Sequence, residues 1–473
     1  MLKFSRVFLN IRGTTLVMTL VFLSILSIIS TSIVGLVIAE NKLAKLRLTE
    51  EYSFQVAESG LQYARWRMAH DASDFTGATQ TLTDFAGGEV GSYTLTFTTP
   101  AGGDSRISIT SKGWYKDATN LYRTVTAKYG KMAFTYYSFL FDEGAWFGIP
   151  TVDGRVHSNG GIRMDGTVNS LVTSAVSSYT CTQVHGCNTN ETKAGVWGAG
   201  GNQSLWTYPV VPIDFNSVIT NLEDLHELAE DMGVGLFLSK NATPKGYELN
   251  FLANGTVEVY KVESLENPVS HRRWVNGLWK NYTNSLDIDD AELLQVYTLQ
   301  QPSDFIFAES DVWVRGTVKG RVTVVAAEIP QESANYQDIV ISDNVVYNTY
   351  DGSAVLGLIA KGNVLIALKV PDDLRVDGVL MAQTGIVGRD YYESGPQTNP
   401  YYLRTSITTY GSIISKGFSD PQFRWIDPDL NVVSGFVTST NIYDPNIAFN
   451  APPYFPTVGV ADFMDWEEKA KGT

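Results

Sequence analysis

The chain has 473 residues, with 35 Lys+Arg against 50 Asp+Glu for a formal charge of −15, and only 18% charged residues, below the roughly 25% of an average soluble domain. That length gives a prior of about three domains, and 44% hydrophobic with 12% aromatic residues excludes a disordered chain. The acidic balance argues against a nucleic-acid partner, whose phosphates need a basic surface, and two Cys exclude a disulfide-dense mini-domain or a four-Cys zinc module.

Thr14 to Ala39 is a run of 26 residues without a charge, rich in Leu, Ile and Val. As a helix it spans roughly 39 Å, enough to cross a hydrocarbon core of about 30 Å. Lys3, Arg6 and Arg12 precede it without an acidic residue, and Glu40, Lys42, Lys45 and Arg47 follow. Flanks so similar set orientation only weakly. One reading is a secretory signal ending at Val37-Ile38-Ala39, although such signals carry apolar regions of only about 7–15 residues. A second is a plain uncleaved anchor. A third starts from Arg12-Gly13-Thr14-Thr15-Leu16-Val17, where a short basic leader meets a Gly at the start of the apolar run.

This junction resembles the class III leader of type IV pilins and type II secretion pseudopilins. In those families a prepilin peptidase cuts after the Gly and leaves the apolar helix on the mature protein. The resemblance implies processing between Gly13 and Thr14, leaving 460 residues; loss of Lys3, Arg6 and Arg12 takes the formal charge from −15 to −18. It also implies a transmembrane helix that packs against other pilin subunits through residues such as Leu16, Met18 and Leu20.

There is no Pro before Pro100, and Leu43, Leu46, Ala57, Leu61, Ala64 and Met68 recur at helical spacings, interrupted by Glu50 and Ser53. The pattern predicts one helix over 14–69, roughly 84 Å long, half in lipid and half carrying a head. Phe54-Gln55-Val56-Ala57-Glu58-Ser59-Gly60-Leu61 is similar to a phrase common in PilX-type minor pilins. Most major pilins place Glu at the fifth mature residue, and this chain has Met18 there. A carboxylate in hydrocarbon is costly without its partner, so its absence implies a minor or tip subunit; the alternative is that Met18 simply faces lipid.

Beyond the helix, Tyr93–Phe97, Ile107–Thr110 and Tyr122–Thr126 alternate with period two around Gly91 and Gly102-Gly103, which reads as an antiparallel sheet. Short β runs with Gly at the corners follow at Gly148–Ile162, Val312–Val324, Leu358–Ile366, Leu374–Met381 and Thr409–Ser415. They fit the rungs of a parallel β-solenoid, with a β-sandwich as the competitor. Asp214–Gly233 carries Val218, Leu222, Leu225 and Leu228 at helical spacing, and Tyr247–Phe251 and Thr256–Tyr260 flank an Asn254-Gly255 hairpin turn. The Val156-His157-Ser158-Asn159-Gly160 phrase and the Pro-rich close are similar to extended PilX-like envelope proteins.

The expected fold class is therefore mainly β with a long N-terminal helix: a pilin-like α+β module, then a parallel β-solenoid with a small α+β insertion. The segments are a leader at 1–13, a helix at 14–69 with 14–39 transmembrane, and a pilin-like sheet at 70–135. A first solenoid part with a disulfide loop follows at 136–213, then an α+β insertion packed on the solenoid flank at 214–300 and the main solenoid at 301–440. An extended Pro-rich tail closes the chain at 441–473.

Cys181 and Cys187 stand six positions apart in a polar loop. Export makes a disulfide their natural state, and the spacing is not a zinc pattern; no metal or cofactor is expected. His157 and Ser158 are adjacent on a strand and point to opposite faces, which excludes a base–nucleophile pair. Asp287-Ile288-Asp289-Asp290-Ala291-Glu292 gathers carboxylates for Ca²⁺ but lacks an EF-hand's spacing; a solvated turn is the bland reading. The expected function is non-enzymatic: a minor, tip-like subunit of a type IV pilus or related secretion filament, acting in assembly or adhesion. Its partners would be other pilins, the bacterial inner membrane, prepilin peptidase and a surface glycan or protein ligand. A single-pass helix would hold the exported body until it joins a cell-surface filament. The alternatives are an anchored envelope β-solenoid protein and a glycan-active β-helix enzyme.

Overall fold

The computed structural model describes residues 12–71, 74–98, 106–116, 118–148, 151–182, 185–215, 217–240, 245–275, 278–300, 303–333, 336–417, 423–427 and 431–469. It is mainly β, with two α-helices among the described residues, and it divides into two compact units. The first comprises Met1–Thr99, Ile107–Tyr129 and Asp462–Thr473, the second Pro100–Arg106 and Gly130–Ala461.

In the first unit α1 (Arg12–His70) is one uninterrupted helix of 59 residues. Its C-terminal half lies on an antiparallel sheet of β1 (Ala78–Thr83), β2 (Glu89–Thr98), β3 (Ile107–Tyr115) and β4 (Arg123–Ala133). Gly102-Gly103 lies outside the described residues. Val56, Ala57, Leu61, Ala64 and Met68 are buried, while Leu43 and Leu46 of the expected stripe are 48% and 40% exposed. The buried stripe begins at Ser53, read from sequence as an interruption. Its hydroxyl donates to the Thr49 carbonyl at 2.8 Å and accepts the Tyr115 N–H at 3.1 Å, which satisfies a polar group at a fully buried position. The backbones come close here: a Cβ on Gly113 would stand 2.3 Å from the Ala57 nitrogen.

A fifth strand, Thr457–Lys469, borders β4. Residues 441–473 are therefore not one extended tail. The Pro residues break regular structure only as far as Pro456, and the chain beyond packs Phe463 on Tyr129 and Trp466 on Phe54, at centroid distances of 5.8 and 6.0 Å. Glu468 pairs with Arg123, and Asp462 lies 3.1 Å from Arg65.

The second unit is built on a stack of parallel strands. One face runs Leu236–Leu238, Asp304–Ala308, Arg321–Ala326, Val355–Ala360, then 379–382 and 413–415. It continues through Phe139–Phe141, Val156–Ser158, Val172–Ser174 and Trp206–Thr207. Spatial order departs from chain order. The rungs that come first in sequence stack onto 413–415, the last rung of the main array, so residues 208–235 must return to the far end before the array is built. A second face joins Asp311–Val318, Ile339–Tyr347, Val364–Ile366 and Val387–Gly388. The expected hairpin forms, Gly246–Phe251 with Thr256–Leu265, but it does not sit on the flank. It extends this second face by pairing with Asp311–Val318, and Ile288–Thr298 adds the outer strand. Unpaired strand edges recruit strands more readily than they accept packing.

Alternation shows how the first face is buried. Ile306, Val324, Leu358, Leu380 and Phe139 point into the core between the faces. Phe305, Phe307, Val325, Ile359, Met381 and Leu140 point outward into a second apolar layer. That outer layer is covered by α2 (Ser217–Glu230) through Leu222, Leu225 and Ala229, and by Ile447 and Phe455 of the Pro-rich segment. The Val218 side chain lies outside the described residues. His226 fastens α2 to Glu309 at 3.0 Å, and the Arg321 guanidinium donates to the Asn450 carbonyl at 3.0 Å.

At one corner the Asp311 carboxylate accepts the Asp338 N–H at 2.8 Å, and Asp338 accepts the Asn363 N–H at 2.7 Å. Burial, then the neighbouring Asp338 charge, pushes the Asp311 carboxyl up to about 7, and burial raises Asp338 as well.

Two predictions follow from this packing. Gly113→Ala lowers the unfolding free energy of the first unit by about 1–3 kcal/mol through overpacking, read by denaturant titration of the protein in micelles. Asp311 has a folded pKa above its unfolded value, so its contribution to stability is full at low pH and lost as pH rises toward about 7. Asp311→Asn therefore gains on the native chain between pH 4.5 and 8, by more than about 1 kcal/mol, measured as unfolding free energy at the two pH values.

Candidate functional site

The apolar half of α1 presents Leu16, Met18 and Leu20, all exposed, on a segment long and apolar enough to cross a membrane. Several of its hydroxyls are satisfied within the helix. Thr31 donates to the Ser27 carbonyl and Ser32 to the Ile28 carbonyl, both at 2.8 Å, and Thr19 to the Thr15 carbonyl at 3.0 Å. Internal bonding is what lets polar side chains sit in hydrocarbon. Gly13 and Thr14 fall in the first turn of the helix, but the Thr14 side chain and residues 1–11 of the leader lie outside the described residues.

Cys181 and Cys187 form a disulfide with Cα atoms 5.9 Å apart; Gln183 and Val184 between them lie outside the described residues. The segment is clamped to a third, small face of parallel strands, Ala145–Phe147, Ile162–Met164 and Val196–Trp197. Register aligns Trp146, Arg163 and Trp197 across these rungs. The Arg163 guanidinium lies 4.4 Å from the Trp146 ring and 5.1 Å from the Trp197 ring. Its nitrogens donate to Asp165 at 2.7 Å and to the carbonyls of His185 and Gly186 at 3.1 and 2.9 Å. A planar, always-charged fork suits this combination of stacking and multiple donation, and Lys does not.

His157 and Ser158 serve rung packing. The His157 ring nitrogens lie 2.9 Å from the Thr173 hydroxyl and 3.1 Å from the Asn159 amide oxygen, and burial lowers its pKa. Ser158 donates to the Glu143 carbonyl, so the two side chains do not meet. Asn159, quoted in the sequence phrase without a role, ties this rung to the return segment: it donates to the Ile213 carbonyl at 2.7 Å and accepts the Ile213 N–H at 2.8 Å.

The acidic run does not converge. Asp287 is buried and accepts the Lys369 N–H at 2.8 Å, with its pKa raised by burial. Asp289 accepts from Ser264 at 2.9 Å, and Asp290 and Glu292 lie exposed on Ile288–Thr298. Among the described residues no group of three His, Cys, Asp or Glu is placed to hold a metal ion.

Sequence reasoning missed a cleft beside the antiparallel hairpin Val269–Val275 and Leu278–Asn284. Ser270, His271, Arg272, Asn281, Tyr282, Thr283, Tyr391 and Glu393 line a volume of about 390 Å³. The hairpin is pinned to the main chain of Tyr391 by a reciprocal pair, Arg272 N–H to the Tyr391 carbonyl at 3.0 Å and the reverse at 2.8 Å. Beneath it Arg273 grips Asp390 with two bonds of 2.7 and 2.9 Å. Burial opposes the Arg273 charge, but the Asp390 carboxylate outweighs it and the guanidinium pKa rises. His271 stands 3.2 Å from Asp390, its pKa lowered by burial against the pull of that carboxylate. The sequence signal was Trp274 and Trp279 set among His271, Arg272 and Arg273; what hid the site was that its opposite wall comes from residues 391–393.

No family model matches the chain, and no curated protein matches its sequence. Among solved structures, the crystal structure of competence-associated pilin ComZ from Thermus thermophilus overlaps 89% of this chain and 97% of its own, at 11% identity and a TM-score of 0.29.

Arg163→Lys loosens the disulfide segment while the body stays folded. The expected result is amide exchange about tenfold faster at Cys187, whose N–H bonds the Thr182 carbonyl at 3.1 Å, measured by hydrogen–deuterium exchange.

Proposed function

We propose that the chain is a non-catalytic, minor or tip-like subunit of a type IV pilus or related secretion filament. The observation that carries this is α1: a single 59-residue helix with an exposed apolar half and a second half buried on an antiparallel sheet. In sequence, Lys3, Arg6 and Arg12 form a short basic leader that ends in Gly13. In this reading prepilin peptidase cuts between Gly13 and Thr14, and the apolar half holds the exported body at the bacterial inner membrane. Lateral packing of Leu16, Met18 and Leu20 on neighbouring helices then draws the subunit into a filament that reaches the cell surface. Met18, in place of the carboxylate usual in shaft subunits, supports a terminal position, as does the bulk of a second unit running from Gly130 to Ala461. The body would prime assembly or present a surface for adhesion.

The test is the mature N-terminus. Mass spectrometry of protein expressed with a prepilin peptidase is expected to find Thr14 first, and Gly13→Ala is expected to leave the precursor uncut. A native chain still starting at Met1 would point to a permanently anchored envelope protein, and one starting at Glu40 to a secretory signal.

A further inference from the structure

We propose that the cleft beside the Val269–Val275 hairpin is a binding site for a neutral saccharide of one or two rings. Its volume of about 390 Å³ falls in the range of small-ligand sites, roughly 300–1,000 Å³. A sugar ring carries apolar C–H faces and a periphery of hydroxyls that both donate and accept. The cleft supplies partners for each. The parts of the Tyr391 and Tyr282 rings left uncovered by Arg272 and by His271 and Arg273 give aromatic surface, and Ser270, Asn281, Thr283 and the Tyr282 phenol give neutral groups of mixed polarity. Arg272 and Glu393 add a donor fork and an acceptor, paired at 2.9 Å.

The aromatic wall extends outward. Trp279, 43% exposed, lies 5.8 Å from the Tyr391 ring, 4.8 Å from Trp425 and 5.2 Å from Trp274. Arg272 lies across both Tyr391 and Trp279, 4.6 and 5.2 Å from their centroids, which holds its fork in place. This leaves a rigid indole platform at the rim for a second ring.

The lining argues against other ligand classes. Among the described residues no aliphatic side chain lines the cleft, so an apolar peptide finds little matching surface. Arg272 is neutralised by Glu393, whose carboxylate repels an anion. The floor is preformed, because the His271 ring stacks on Tyr282 at 5.6 Å and 9° above the buried Asp390. A preformed floor lowers the ordering cost of binding a ligand whose contacts are individually weak. The cleft belongs to the body alone; its use as an adhesive site rests on the filament reading above, which the N-terminus tests separately.

The experiment uses the full chain in a detergent without a sugar headgroup. Maltose, cellobiose, lactose and N,N′-diacetylchitobiose are titrated against tryptophan fluorescence, with saturation-transfer NMR on the sugar protons. At least one is expected to bind saturably. Tyr391→Ala and Trp279→Ala are each expected to weaken it about three- to tenfold, and Asn281→Ala, at an exposed position, reports loss of a polar contact without removing a ring. Tyr208→Ala, outside the cleft, is expected to bind as the native chain does. Absence of saturable binding by all four sugars overturns the proposal, as does binding that survives all three cleft substitutions in chains whose circular dichroism is unchanged.

Discussion

The central strands of the long parallel face, among them Asp304–Ala308, Arg321–Ala326, Val355–Ala360 and Phe139–Phe141, bury both of their surfaces, and the rest of the second unit is arranged around that requirement. Parallel sheets cannot leave a face to water when their outward residues are Phe305, Phe307, Ile359 and Met381. The inward set closes against the opposite face of the stack. The outward set needs a separate cover, which α2 and the 445–456 segment provide. Fully burying an apolar side chain is worth roughly 1.5–3 kcal/mol, so the handful contributed by α2 matters on the scale of a domain's total stability. The same requirement accounts for the chain path. Having built the rungs from Phe139 to Thr207, the chain must reach the other end of the stack, and laying α2 along the uncovered face achieves the return and the cover together.

The sequence made local structure legible and left long-range order hidden. Period-two runs with Gly corners were enough to place strands at Val312, Leu358 and Thr409, and three-and-four spacing placed α1 and α2. Ser53 misled because polarity alone cannot show that a buried backbone N–H, that of Tyr115, waits opposite. The permuted stacking of Phe139–Phe141 on 413–415 and the pairing of Thr457–Lys469 with β4 join residues hundreds of positions apart, and nothing in local periodicity encodes such a partner. The Pro-rich stretch was read as a tail because Pro452-Pro453 forbids a helix or a central strand. That is true only for the residues it touches.

The same limit separates the sites that could be read from the one that could not. Two Cys six apart define a loop by themselves, and adjacent residues on a strand, like His157 and Ser158, exclude a catalytic pair by geometry alone. The clamp on the disulfide needed register, because Trp146, Arg163 and Trp197 lie on three separate strands and meet only when those strands stack. The cleft needed still more. Its hairpin wall was visible as aromatic and basic residues in alternation, but Tyr391, Glu393 and Trp425 arrive from later turns of the stack.

Asp390 shows what holding that cleft requires. A buried carboxylate is costly to desolvate, and a buried ion pair is weak evidence for stability, since apolar residues of equal volume often serve as well. Here the carboxylate is gripped by two nitrogens of Arg273 and faced by His271, while the main chain of Tyr391 bonds Arg272 on the same hairpin strand. Consecutive hairpin residues are thus fixed to consecutive residues of the stack, one through side chains and one through backbone. A slip of one position would turn Arg273 outward and leave Asp390 buried and unpaired, a penalty of several kcal/mol. The ion pair therefore sets register more than it adds stability, and register is what places Arg272, Tyr282 and Tyr391 around one cleft.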